Sequence, residues 1–124
     1  MSPDQAIMSL DRALAESSED IVLMRVDDDN SILAQVTCRA RVDRTSSDEQ
    51  PAGIARSGFD LVISPTPLLA GGWPDGDPAN IVPLENAGDR VAFVDTPDQR
   101  RTVVKADPKR IGSQVVRINL RISG

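Results

Sequence analysis

The chain has 124 residues, 14 basic and 19 acidic side chains, and a net charge of −5. That length fits one domain, and with aromatics at only 2 % its core has to be built from Val, Ile, Leu and Ala. The acidic balance argues against broad binding to nucleic-acid phosphates, the lack of His removes the commonest neutral-pH base and zinc ligand, and the lack of Tyr leaves little to stack bases or sugars on.

The chain should begin with a helix. Ser2 is placed to cap it, Pro3 suits the first helical position, and Gln5 completes a Ser-x-x-Gln capping box. Ile7, Leu10 and Leu14 then share one face, and the helix should fade at Ser17-Ser18; a later start near Ser9 is the alternative. The opening "MSPDQAIMSL" lacks the basic region of a secretory signal, and no apolar run approaches the roughly 20 residues of a membrane span.

Ile21 to Val26 reads as a strand and "DDDN", Asp27 to Asn30, as a turn. Residues 32–42 follow with a period of two. Ile32, Ala34, Val36, Cys38, Ala40 and Val42 alternate with Leu33, Gln35, Thr37, Arg39 and Arg41, the pattern of an antiparallel strand with one face in the core. Cys38 falls on the apolar side, so it reads as a small buried hydrophobe in a reducing compartment.

Thr45 to Gly58, "TSSDEQPAGIARSG", has no periodicity and is long for a loop in so small a domain. It predicts a mobile segment in which Ser46, Ser47, Asp48, Glu49 and Gln50 offer no large apolar group, and only Ile54 and Arg56 could anchor on a neighbour. Phe59, Leu61 and Ile63 resume the alternation. In "ISPTPLLAGGWP", Ile63 to Pro74, Ser64 caps a short helix with Pro65 and Pro67 in its first turn, and Gly71 or Gly72 ends it. Leu68, Leu69 and Trp73 should pack this crossover onto an open end of the sheet, with Trp73 as an interface anchor the alternative.

Asp75 to Ala87 reads as irregular. Val91 and Phe93 mark a fourth strand, Thr102 to Ala106 a fifth, "DPKRIG" (Asp107 to Gly112) a turn, and Val116, Ile118, Leu120 and Ile122 a sixth. The expected fold is mainly β: a small antiparallel barrel of about six strands with an N-terminal helix and a short crossover helix, forming one domain over residues 1–124.

The residues offer no chemistry of their own. The acidic run at 27–30 lacks the spacing of a calcium loop, Cys38 has no histidine to activate it, and neither "AGG" nor "AGIARSG" is a phosphate loop. Neither an enzyme nor a cofactor or metal site is expected. Arg39, Arg41 and Arg44 near the long segment, and Arg117 and Arg121 on the last strand, read either as solvated strand faces or as contacts to acidic residues of an identical neighbour.

Taken in order, "SLDRALAE" (Ser9–Glu16), "ISPTPLLAGGWP", "GDRV" (Gly88–Val91), "DPKRIG" and "VVRINLRISG" (Val115–Gly124) resemble the stopper, or head-completion, proteins of tailed-bacteriophage head–tail connectors and of phage-like gene transfer agents. The resemblance spans nearly the whole chain, with residues 75–87 an extension. It implies a structural virion protein made in the host cytoplasm: a β-barrel subunit that assembles with itself into a ring of six or twelve copies. The ring would sit in the neck below the portal and its adaptor, seal the DNA-filled head and receive the tail terminator or tube, with DNA passing through unread. The segment 45–58 would lie at the channel. A tail terminator, another neck ring or a free-standing β-barrel binding module are the alternatives.

Overall fold

A computed structural model describes residues 2–43, 58–73, 76–83 and 88–123. Six antiparallel strands form one sheet that closes into a ring, in which the sixth strand lies between the third and the fifth and the fourth closes on the first, with two helices added. This is the expected fold.

Helix α1 (Pro3–Glu16) starts as its sequence dictates: the Ser2 hydroxyl accepts from the Gln5 N–H, and the Gln5 side chain accepts from the Ser2 N–H in return. Only Leu14 on it is buried, and Met8 is exposed. Strand β1 (Glu19–Val26) then pairs with β2 (Ile32–Asp43), Ile21 facing Cys38 and Leu23 facing Val36. The acidic turn between them has a local cause. The Asp27 carboxylate accepts from the N–H groups of Asp29 and Ser31, and Asn30 takes a left-handed φ of 65°.

The apolar face of β2 is graded. Cys38 and Ala40 are buried, Ala34, Val36 and Val42 pack partly against the core, and Ile32 is exposed. Ile32 therefore leaves the core face expected of it, because it lies at the strand's beginning, where only Val26 pairs with it across a register shift.

Strand β3 (Gly58–Ile63) pairs with β2 on one side and with β6 (Gln114–Ser123) on the other. Helix α2 (Pro65–Gly71) follows at once. Ser64 caps it by accepting from the Thr66 N–H, and Gly72 ends it in the left-handed conformation at φ 64°. Leu68 and Trp73 are buried. Leu69 is 53 % exposed, so it does not pack the crossover as the sequence led us to expect. The inward side of this short helix is taken by Pro65 and Leu68, three residues apart, which turns Leu69 outward.

Strand β4 (Asp89–Phe93) is buried along its whole length, so it shows no alternation. Strand β5 (Arg101–Ile111) is twice as long as expected. Of "DPKRIG", residues 107–111 are strand, and the turn is only Gly112-Ser113, with Gly112 at φ 64°. Pro108 is tolerated because β4 reaches β5 only at Arg101 and Thr102, so from Val103 onward β5 has, among the described residues, no second neighbour whose ladder a missing N–H would interrupt. Register shifts at 103/105 and 109/110 flank it.

The interior is filled as composition requires, by Ile21, Leu23, Leu61, Ile63, Ile118 and Leu120 among others. Two phenylalanines serve one end of the ring: Phe59 and Phe93 meet edge to face at 5.6 Å, and the Arg101 guanidinium lies over both rings. No helix among the described residues is long and apolar enough to cross a membrane, which leaves open what strands could do.

Candidate functional site

Strands β2, β3, β6 and β5 turn their polar residues outward along one continuous face. The pairing registers stack these residues in rows. Lys105 lies opposite Arg121, Arg121 opposite Asp60, and Asp60 opposite Asp43; the next row runs Asp107, Asn119, Val62, Arg41. An open groove of about 510 Å³ follows this face. Of the five arginines singled out in the sequence, Arg41, Arg117 and Arg121 line it, and Lys105 joins them.

The face is held by exposed polar contacts. Arg121 pairs with Asp60 at 3.0 Å, Lys109 with Asp107 at 2.7 Å, and Arg117 Nε donates to the Asn119 side-chain Oδ1 at 2.9 Å. The hydrogen bond from Lys109 holds the Asp107 carboxyl below its ordinary value, with the charges of Lys109 and Lys105 acting in the same sense. Pairs this exposed to solvent contribute little to stability. The like-charged neighbours Lys105–Arg121 and Asp43–Asp60 work against the fold, since like charges directly across a ladder are destabilising. A surface that stays charged in this way is suited to contact rather than to stability.

Arg39 is not part of that face. Its guanidinium donates to the Leu14 carbonyl at 2.9 Å and to the Ser18 hydroxyl and carbonyl, and it pairs with Asp20 at 3.3 Å. The last turn of α1 has no basic residue; there the Ala13 carbonyl accepts from the Ser17 N–H, the Leu14 carbonyl from the Ser18 hydroxyl, and Arg39 adds a charged donor to Leu14 from β2. It is a brace between helix and sheet. Arg44 and the residues singled out between 45 and 57 (Ser46, Ser47, Asp48, Glu49, Gln50, Ile54 and Arg56) lie outside the described residues.

Beside Arg39, a second cavity of about 270 Å³ lies between α1, β2 and the start of α2, with Cys38, Leu14 and Pro67 among its walls. Burial, with a smaller contribution from the charge of Asp20, pushes the Cys38 thiol up to about 12. A thiol held neutral is a poor nucleophile. Alkylation by iodoacetamide at pH 8 should therefore be slow in the folded chain and fast in denaturant; equal rates would contradict the burial. The folded value lies above the unfolded one, near 8.5, so this contribution to stability is complete below that pH and is lost as pH rises toward about 12.

The sequence reading missed a cluster at the opposite end from the phenylalanines. Asp89 is fully buried; its carboxylate accepts from Arg25 Nε at 2.9 Å, from Arg25 Nη2 at 3.1 Å and from the Val82 N–H at 2.7 Å. The Asp89 N–H donates back to the Val82 carbonyl at 2.9 Å. Arg25 in turn lies 5.7 Å from the Trp73 ring centroid and donates to the Asn80 carbonyl. Ile81 drops into the core beside Trp73. The described part of the extension, residues 76–83, thus has a structural role: it closes this end and ties β1, β4 and the crossover together. In the sequence Asp89 stood out only as a letter of "GDRV", and its partner sits 64 residues away.

Among the described residues no group of three or more His, Cys, Asp or Glu side chains is arranged to hold a metal ion. Comparison of the chain with protein-family models, with curated proteins and with solved structures finds no match.

Proposed function

We propose that this chain is a structural subunit of a phage-type head–tail connector, a stopper that joins copies of itself into a ring below the portal. The observation that carries this reading is the outward charged face on β2, β3, β6 and β5, set on a sheet whose interior is filled with aliphatic side chains. Such a module presents its chemistry on its surface, where a neighbouring subunit can meet it. The resemblance noted in the sequence supplies the neck location; the six-stranded closed sheet with two helices is the kind of scaffold that role requires. No catalytic step is assigned to it. Net negative charge suits a channel wall past which DNA slides without sticking.

Particles assembled without the protein, examined by electron microscopy and for retained DNA, test this. Heads that package but leak DNA and carry no tails are expected. Heads that keep their DNA yet lack tails would assign the chain to the terminator instead, and tailed, infectious particles would end the neck reading.

A finer test concerns the segment between β2 and β3. It leaves the sheet at Asp43 and re-enters at Gly58, at the end of the ring that carries Arg101 and Phe93. Deleting residues 46–56 leaves enough chain for a short hairpin loop, so the subunit should remain folded by circular dichroism. The particles should then retain DNA poorly. Unchanged retention would remove the channel role from this segment.

A further inference from the structure

Charge is divided very unevenly along the chain. Residues 100–124 hold seven of the 14 basic side chains and only one of the 19 acidic ones, a net +6. Residues 1–99 are left with a net −11. The fold gathers the basic part into one hairpin, β5–β6. Beyond Val103 on β5 and before Ile118 on β6, the two strands are hydrogen-bonded only to each other among the described residues. That stretch turns at Gly112-Ser113 and carries Lys105, Lys109, Arg110 and Arg117, all exposed. Its ladder is flanked by register shifts and contains Pro108, features that discourage another strand from adding to its edge. What the ribbon offers is charge on side chains rather than backbone groups.

We infer that this basic hairpin docks on the acidic body of a second copy of the chain, so that copies join head to tail. Charge complementarity within the one sequence favours this partner: every copy brings both the hairpin, net +5 over residues 101–123, and a strongly acidic remainder of the chain. The two surfaces are different patches, and a contact between different patches propagates from copy to copy and closes where the rotation allows, as a ring requires. A nucleic-acid partner is disfavoured because the hairpin would bring the more strongly charged acidic body with it toward the phosphates. The inference rests on the ring-subunit reading above and names the contact by which the ring is made.

Sedimentation velocity on the full chain tests it. Association that strengthens with concentration should appear at about 0.05 M NaCl and weaken at least about tenfold near 0.5 M, where charges are screened over a few ångströms. Lys109→Glu/Arg110→Glu should sediment as a monomer with an unchanged melting curve. Arg12→Glu, an exposed reversal on α1, should associate at least as well as the unmodified chain. The inference is overturned if association is insensitive to both salt and the hairpin reversal. It is equally overturned if the chain stays monomeric up to about 1 mM, the weak end of specific binding, or assembles only when a short DNA duplex is added. Its failure is distinct from that of the neck reading: charge-independent rings sink the hairpin contact alone, whereas salt-dependent oligomers beside particles unaffected by loss of the chain sink the neck assignment alone.

Discussion

Asp89→Ala should destabilise the chain by about 3–5 kcal/mol, the cost of removing one partner from a buried ion pair. Asp89 is wholly shielded from water, and the Arg25 side chain is 20 % exposed, so solvent screens the remaining charge poorly. Truncation leaves the Arg25 guanidinium with its bidentate acceptor gone and the Val82 N–H unpaired. Residues 80–82 lose their tie to β4 at the same time. Total stability for a domain of this size is on the order of 5–15 kcal/mol, so a large part of it would be lost. Urea unfolding of the variant, and a double-mutant cycle with Arg25→Ala, measure the cost and the coupling. A loss below about 1 kcal/mol would show that the pair is not the fastening the geometry describes.

Trp73→Ala should cost about as much, roughly 3–5 kcal/mol, because the ring is 2 % exposed and its removal empties the space between Leu68, Arg25 and the loop that carries Ile81. Leu69→Ala, one helical turn before it, should cost under about 0.5 kcal/mol, since that side chain is half in solvent. The contrast separates anchoring within the subunit from anchoring between subunits. A low melting temperature for the Trp73 variant places the ring in the core, and a stable monomer that fails to join particles would make it an interface residue. Trp73→Phe adds a refinement. Among the described residues the buried indole Nε1–H has no hydrogen-bond partner, so Phe sheds that donor along with some volume and should be much milder than Ala.

The groove on the outer sheet and the Arg25–Asp89 cluster divide the work between them. The first keeps charge where another molecule can reach it, and the second hides charge to fasten the end that α2 and residues 76–83 close. Both use an Arg–Asp pair, yet only the buried one is large enough in energy to decide whether the chain folds.

Local patterns in the sequence determined most of the elements. The Ser2–Gln5 capping box, the Ser64-Pro65 start and Gly72 stop of α2, and the alternation in β2, β3 and β6 act over a few residues, and each formed where its own physics put it. Tertiary structure decided what depends on neighbours. Leu69 and Ile32 are apolar but exposed, because burial follows which side of an element meets the core and how far the partner strand extends. Pro108 looked like a turn and is a strand residue, because β4 stops short and, among the described residues, leaves no second ladder to interrupt. Arg39 and Arg41 are alternate residues of one strand; the first is taken up by the end of α1 and only the second stays on the open face. Arg25 and Asp89 have no local signal in common, since a buried pair 64 residues apart exists only once β1 and β4 lie side by side. Spacing along a chain encodes period and caps; which charges end up paired, exposed or opposed is set by strand order and register, and these are properties of the closed sheet.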